Sequence, residues 1–579
     1  MSIWDNISAD PDVYLKNQKD DPKVIKCSNL KIKVYPYGVE VDSYELKDNN
    51  LEKKLVKHFT IEYDALTYVK KIKVMRKVKT TKLLFLRFGM LEYIKRLKNI
   101  NITYHLRIPP IPKNVFKWTG SLKNNQKIIV KCIMNKYFNE KNVKCGKSGC
   151  ILNLEAGQGK TFIATSLIEK LKTKTLIICH NKNILRQWIK VLSAGYPNNT
   201  VKAYYGESKE CGDITVGIVN SLLMDNMQIN GVAADPKTFF KQFGFVVFDE
   251  VHLYSGNMRK NIYYRLYATY ILGLSATPDE NKCFDKINEW GCGNVLNATS
   301  IKGYTVEHIA FKGNVTKLSY KAPDEYTQII INEKLEMIAH SSMVSQLCED
   351  PYRIHLIVKS IFDLKEKGKN IFVFAERRSY LTAIKNHMEL FKIDSHELLT
   401  DADENHISQL MGGSTDEDVA NAIKSSNVIL TTYEYMGTGM SIPKMDAIIL
   451  ATSRKKKSKQ YVGRIFRLGS NYESVREIVD IVDAKIYIKS QYSVRKKYYD
   501  EKKFPITKKT VKWQEMESEM KQMNIVLETV RGRQTDVTSS DICELQHLNQ
   551  TVRDEQTFKN TLDSSLSKLE ELLRRNKIV

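Results

Sequence analysis

The sequence predicts an α/β protein of two tandem parallel-sheet domains, with a basic α+β unit before them and a helical tail after them. Three observations carry this reading. A phosphate-loop pattern stands between an apolar run and a helical run near residue 155; strand-like and helix-like segments alternate twice, over 150–300 and 352–482; and the flanks differ from both alternations in composition. With 579 residues the chain can bury several cores.

The loop opens the first alternation. Residues 150–154 are an apolar run, Gly157 and Gly159 follow, and a helical pattern begins at Lys160. A strand, a glycine loop and a helix N-terminus in that order cradle an anion, because loop N–H groups point inward and the helix dipole favours negative charge. Ala156, Gly157, Gln158 and Gly159 would supply the backbone cradle for ATP, Lys160 would reach its β- and γ-phosphates, and Thr161 would offer a hydroxyl to Mg2+. The full pattern asks for glycine where this chain has Leu154, and a plain turn between strand and helix would read alike. Gly146-Lys147-Ser148 lacks both flanking patterns and is set aside. Residues 245–250 read FVVFDE, a buried parallel strand that delivers Asp249 and Glu250 at its carboxyl edge. Asp249 suits Mg2+, and Glu250 suits orienting or deprotonating a water; a capping acid pair is the plainer alternative.

The remaining strands expected in the first sheet are 175–179, 214–219 and 270–274, with helices over 127–138 and 184–192. The last strand runs into Ser275-Ala276-Thr277-Pro278, small hydroxyl residues placed where a phosphate sensor or a simple turn would stand. The second sheet is expected from strands at 371–375, 393–398, 427–432, 446–451 and 477–482, separated by helices such as 379–390 and 416–425. Between its last two strands, QYVGRIFR sets Arg464 and Arg467 three apart, on one face if helical. Two guanidiniums aimed at a nucleotide held elsewhere would act as arginine fingers; a surface basic helix would look the same.

The flanks carry charge. Residues 69–98 hold eleven Lys or Arg against one acid, Glu92, with Phe85, Phe88 and Tyr93 interleaved. That mixture suits a nucleic-acid surface, or the solvated face of a small domain. A proline-rich linker at 109–112 makes this unit look separable, so its removal is expected to spare ATP hydrolysis. The tail, 503–579, is Met-rich and polar without a strand signal; Phe558, Leu562, Leu566, Leu569 and Leu573 form one helical stripe, for packing or for a protein partner. A net charge of +24 points to a polyanion. No apolar run reaches the ~18 residues of a membrane span, and the first residues lack a signal peptide's apolar core, which favours nucleic acid over membrane. Ten scattered cysteines read as reduced, cytoplasmic thiols, and neither Cys145/Cys150 nor Cys283/Cys292 has zinc-ligand spacing.

Taken together, these residues resemble superfamily 2 helicases of the DExH type. LKNNQ is similar to the adenine-reading Q motif, LEAGQGKT to motif I, LIICHNKNILRQW to motif Ia, DITVGIVNSL to motif Ic, FDEVH to motif II and LSATP to motif III. IFVFAERRSYL, LTTYEYMGTGMSIP and QYVGRIFR are similar to motifs IV, V and VI, in order from about 118 to 490. The DEVH box, the TGxxIP segment and the strand after motif VI look closest to helicases of large DNA viruses such as the poxvirus transcript-release helicase. The resemblance implies two RecA-like domains, with an accessory domain at 1–112, the ATP-binding domain at 113–302, a connector at 303–350, the second domain at 351–502 and an extension at 503–579. It implies that Gln126 reads adenine, that Lys160, Asp249, Glu250, Gln460, Arg464 and Arg467 serve catalysis, and that His252, Ser275, Ala276, Thr277 and Gly439 couple the site to the nucleic-acid track. Arg186, Arg377 and Thr432 become contacts to the nucleic-acid backbone. His180 replaces the proline heading motif Ia, and Ser441 replaces the motif V aspartate that ties nucleotide to the second domain. The implied function is ATP-dependent translocation or unwinding, with DNA ahead of RNA, in viral transcription or replication within the host cytoplasm, viral factory or virion. A nucleic-acid scaffold with a vestigial ATPase is the rival from another class.

Overall fold

Strands that are apolar on both faces need cover on both sides, and this chain pairs such strands into two large sheets. The computed structural model describes residues 25–65, 68–78, 81–107, 115–155, 157–276, 285–305, 312–328, 330–332, 337–338, 340–394, 407–437, 442, 444–452, 461–466, 474–483 and 486–523. The chain divides into two compact units, Met1–His308 and Ile309–Val579.

The first unit holds an eight-stranded sheet in the order Ser208–Lys209, Val201–Tyr205, Ile214–Ile218, Thr175–Cys179, Phe245–Asp249, Tyr270–Ser275, Gly149–Asn153 and Val295–Asn297. Every pairing is parallel except that of the first two strands. One face is covered by the helices Asn124–Lys136, Lys160–Leu171 and Lys182–Gly195, through residues such as Ile133, Leu167 and Trp188. All five expected strands are present; Val201–Tyr205, Ser208–Lys209 and Val295–Asn297 are additional.

The N-terminal region contributes a five-stranded sheet in the order Met75–Val78, Lys82–Phe85, Gly38–Asp42, Ile25–Tyr35 and Leu97–Tyr104. Its core is continuous with the second face of the eight-stranded sheet. The ring of Phe59 lies 4.8 Å from that of Trp290, and a Cβ at Gly89 would meet Trp290 at 2.5 Å. The seam is therefore close-packed, and a separable N-terminal unit is not what the structure holds. The aromatics of the basic stretch are part of this seam: Phe85, Phe88 and Tyr93 are buried and present no stacking surface. Arg87 is buried too, donating to the Ala268 carbonyl at 3.1 Å, and burial lowers its pKa to about 10. Lys71 pairs with Glu62 at 2.8 Å, Lys82 approaches Glu40 at 3.9 Å, Lys95 pairs with Glu92, and Arg76 lies over Tyr264.

The second unit holds a seven-stranded, wholly parallel sheet in the order Ile407–Leu410, Val428–Thr432, Ile371–Ala375, Ala447–Leu450, Arg476–Asp483, Gly313–Lys321 and Ile506–Lys512. Three expectations need correction here. The strand expected at 393–398 is not formed over its first residues, because helix Arg378–Asp394 runs through them; the edge strand is Ile407–Leu410. The expected connector, 303–350, supplies an internal strand, Gly313–Lys321. The expected helical tail supplies the other edge strand, Ile506–Lys512, before helix Trp513–Gln522. That strand reads ITKKTVK and is mostly exposed, so it has β-branched residues but no apolar period to announce it. The apolar stripe at 558–573 lies outside the described residues.

Candidate nucleotide site

The site lies at the carboxyl edge of the first sheet, where three adjacent strands end together. Gly149–Asn153 pairs with Tyr270–Ser275, which pairs with Phe245–Asp249, so the glycine loop, Ser275 and the Asp249–Glu250 pair emerge side by side. Sequence order separates the loop from Asp249 by about ninety residues and from Ser275 by more than a hundred; parallel register brings them together.

Leu154 is buried, and its N–H donates to the Ser275 carbonyl at 3.0 Å. The strand thus runs one residue further before the loop turns, with an apolar side chain in the core at the position where the loop pattern has glycine. Gly157 and Gly159 both have φ of +84°, a left-handed conformation that favours glycine. A Cβ at Gly159 would also lie 2.2 Å from Gln126 Nε2. Gln126 itself donates from Nε2 to the Gln158 carbonyl at 3.2 Å and accepts from the Lys123 N–H at 2.9 Å. Both ends of its amide therefore bind protein, one of them the glycine loop. Ala156 lies outside the described residues; Thr161 is half-buried in the first turn of helix Lys160–Leu171.

Lys160 Nζ stands 3.7 Å from Glu250 Oε1. The second Glu250 oxygen is 3.4 Å from His252 Nδ1, which in turn lies 3.0 Å from Ser275 Oγ. A polar chain thus runs from the P-loop lysine through Glu250 and His252 to the neighbouring strand. Glu250 has φ of +50°, uncommon for a non-glycine residue and of the order of ~1–2 kcal/mol in cost. Such strain persists only where the surroundings fix it, and here it turns the carboxylate toward Lys160. Asp249 accepts from Trp188 Nε1 at 2.8 Å. Burial, with the Glu250 charge second, raises the Asp249 pKa to about 6. Trp188 is a residue that the sequence reading missed as part of the site. It is the last residue of the LIICHNKNILRQW motif, in helix Lys182–Gly195, and a buried Trp needs a partner for its N–H.

The other expected residues divide clearly. Ser275 is in place and Ala276 follows it, half-buried; Thr277 lies outside the described residues. Arg186 is exposed on its helix. In the second unit, Arg377 donates to the Ser341 carbonyl at 2.9 Å and lies 3.4 Å from Ser345 Oγ, so its guanidinium is held against helix His340–Cys348. Thr432 is buried, and its Oγ accepts from the Tyr435 N–H at 3.3 Å, so it caps a helical turn. Arg464 is buried on the short 3-10 turn Gly463–Ile465. Gly439, Ser441, Gln460 and Arg467 lie outside the described residues.

The ligand set can be tested against Mg2+. A half-buried carboxylate held above its ordinary pKa beside a second carboxylate gains from a hard cation, and Thr161 offers a further oxygen donor. The residues present fit that ion. Among the described residues no group of three His, Cys, Asp or Glu side chains stands together as a metal cage, and no helix is long and apolar enough to cross a membrane.

Residues 119–280 match the family model described as "Type III restriction enzyme, res subunit". The chain is 33% identical over 388 residues to the "Putative ATP-dependent RNA helicase QP509L" of African swine fever virus, isolate Tick/Malawi/Lil 20-1/1983, covering 63% of this chain and 71% of that protein. The chain belongs to the viral superfamily 2 helicases. A 26% identical match over 400 residues to the "Putative ATP-dependent RNA helicase L396" of Acanthamoeba polyphaga mimivirus covers 69% of this chain and 71% of that one. The "Transcript termination protein A18" of fowlpox virus, strain NVSL, is 26% identical over 337 residues, covering 55% of this chain and 66% of its own. This viral helicase is accordingly an ATP-dependent enzyme built on two tandem RecA-like α/β domains, and ATP hydrolysis is coupled to work on nucleic acid.

Proposed function

We propose that this helicase is an ATP-driven translocase on DNA that serves viral transcription. The observation that carries the site assignment is the convergence of Lys160, Asp249, Glu250, His252 and Ser275 at one sheet edge beside the glycine loop. Lys160 would leave Glu250 for the β- and γ-phosphates of ATP when nucleotide enters, since a phosphate chain offers it more charge than one carboxylate. Glu250, freed of that partner, would orient a water for in-line attack and accept its proton. Asp249 and Thr161 would hold Mg2+, which supplies charge neutralisation on the phosphate oxygens. Trp188 would fix the rotamer of Asp249 through one oxygen and leave the other for the ion. His252 and Ser275 link Glu250 to the strand next to the loop, so a change at the phosphate is felt by the segment that follows Ser275. Arg464 and Arg467 are assigned, by resemblance, the stabilisation of charge on the transferring phosphoryl group.

DNA is favoured by the motif resemblance, and transcription by the printed name of the fowlpox relative. RNA is the second reading, favoured by the printed names of the African swine fever virus and mimivirus relatives. The test is ATP turnover with single-stranded DNA, duplex DNA, single-stranded RNA and duplex RNA added in turn. Stimulation by DNA alone supports the proposal; stimulation confined to RNA replaces it with the second reading.

A further inference from the structure

The outer face of the N-terminal sheet carries a feature that the ATP site does not use. Along strand Ile25–Tyr35 the even positions Leu30, Ile32 and Val34 face the core, so Lys31, Lys33 and Tyr35 face out. In the parallel neighbour, Lys31 stands opposite Asn101 and Lys33 opposite Thr103, and His105 follows at the strand end. The tips of these elements assemble four rings in a row. His105 stacks on Tyr35 at 4.9 Å and 12°, Tyr35 stacks on Tyr37 at 5.1 Å and 14°, and Tyr37 meets Tyr267 at 5.1 Å and 49°. Lys241 Nζ lies 5.8 Å from the Tyr267 ring. His105 is exposed and the three tyrosines are half-buried. The carboxylates nearby are engaged: Glu45 accepts from the Lys31 N–H at 2.8 Å, Glu40 accepts from the Tyr37 hydroxyl at 3.0 Å with Lys82 at 3.9 Å, and Asp235 caps helix Pro236–Phe240.

We propose that the exposed end of this ladder, His105 backed by Tyr35, is a stacking platform for a base of single-stranded nucleic acid, with Lys31 and Lys33 tracking its phosphates. The proposal rests on the reading of the chain as a nucleic-acid motor and names a place where the separated strand is held. The exposed ring of His105 offers a base the partner it loses on unpairing, Tyr35 backs that ring, and cations alongside supply the backbone contacts. Duplex is not the ligand, because paired bases already cover each other's faces. Stacking reads no base identity, so the platform serves any sequence.

The test uses the full chain without nucleotide and fluorescently labelled oligonucleotides of about 12 nucleotides, oligo-dT, oligo-rU and a duplex of equal length, followed by anisotropy. His105→Ala should weaken binding of the single strands by about fivefold, the loss of roughly one base stack, and Tyr35→Leu, which removes the ring behind His105, by a smaller factor. Duplex affinity and the salt slope of single-strand binding should stay unchanged, because stacking releases no counterion. Lys33→Ala should instead reduce that slope by about 0.7. Basal ATP hydrolysis should be unchanged in all three variants. His105 is exposed, so its variant keeps the test valid if Tyr35→Leu fails to fold. Unchanged single-strand affinity in a folded His105→Ala protein, or an equal loss for duplex, overturns the ladder while the ATPase reading stands. A wild-type chain that hydrolyses ATP but binds no single strand does the same; one that does neither overturns the motor reading as well.

Discussion

Replacing Asp249 with asparagine tests the electrostatics of the site without nucleotide. The Asp249 carboxyl sits at about 6, against 3.8 for an unperturbed aspartate, because burial and the Glu250 charge both oppose its ionisation. Its folded pKa exceeds its unfolded one, so the folded chain holds the proton more tightly between about pH 4 and 6. Below that window ionisation costs nothing; above it the folded state carries the whole cost of a charged Asp249, ~3 kcal/mol for the full gap. Asp249 is half-buried, so solvent screening brings the expected figure to about 1.5 kcal/mol. Asparagine keeps the shape and an acceptor for Trp188, but a neutral acceptor weakens that bond by about 0.5 kcal/mol. The nucleotide-free Asp249→Asn protein should therefore be more stable by about 1 kcal/mol, a rise of about 2–4 °C in Tm. Thermal unfolding followed by circular dichroism, with metal removed, should show this gain at about pH 7.5 and most of it gone near pH 4. ATP turnover should be lost in the same protein. A lower Tm at neutral pH, or an equal gain at both, would refute the argument.

Four further outcomes are expected. Lys160→Ala should reduce ATP turnover by at least about 100-fold while oligonucleotide affinity changes less than about twofold, checked by phosphate release and anisotropy. Arg467→Ala should cut turnover by about 1000-fold with little effect on ATP affinity, as an arginine finger does; equal losses in both would indicate a ground-state clamp. Arg353→Met should destabilise the second unit by ~3–5 kcal/mol, because Asp483 loses a 2.9 Å ion pair in the core; adding Asp483→Leu should recover most of it in denaturant melts. Deleting residues 1–110 should yield an aggregating protein rather than a working motor, since it strips the cover from Trp290 and from the face of the first sheet that carries Val246 and Phe248; a monomeric, hydrolysing truncation in size-exclusion chromatography would count against the shared core.

The sequence by itself determined the repeated α/β pattern and the family, and it named Lys160, Asp249, Glu250, His252 and Ser275, which the fold brings to one sheet edge. Those signals are local: an apolar run, two glycines before a lysine, two acids ending a strand, each readable within about ten residues. Nine of the ten strands expected for the two sheets stand where the pattern puts them. What the sequence did not determine depends on partners far along the chain. Ile506–Lys512 is a strand because Gly313–Lys321 offers it an unpaired edge, not because its own side chains alternate. Phe85, Phe88 and Tyr93 look like a binding surface among lysines, yet pack inward because the N-terminal sheet needs cover from the helix Asp285–Cys292 region. Trp188 enters the site only through the approach of its helix to the end of Phe245–Asp249, and Thr432 is taken up by a cap that no motif announces. The ring ladder is likewise tertiary: Tyr35, Tyr37, His105 and Tyr267 come from three stretches, and only sheet register and the cover of strand ends stack the first three and bring Tyr267 against them. A motif records which chemistry a residue can perform, but burial and pairing are set by what the rest of the fold leaves exposed.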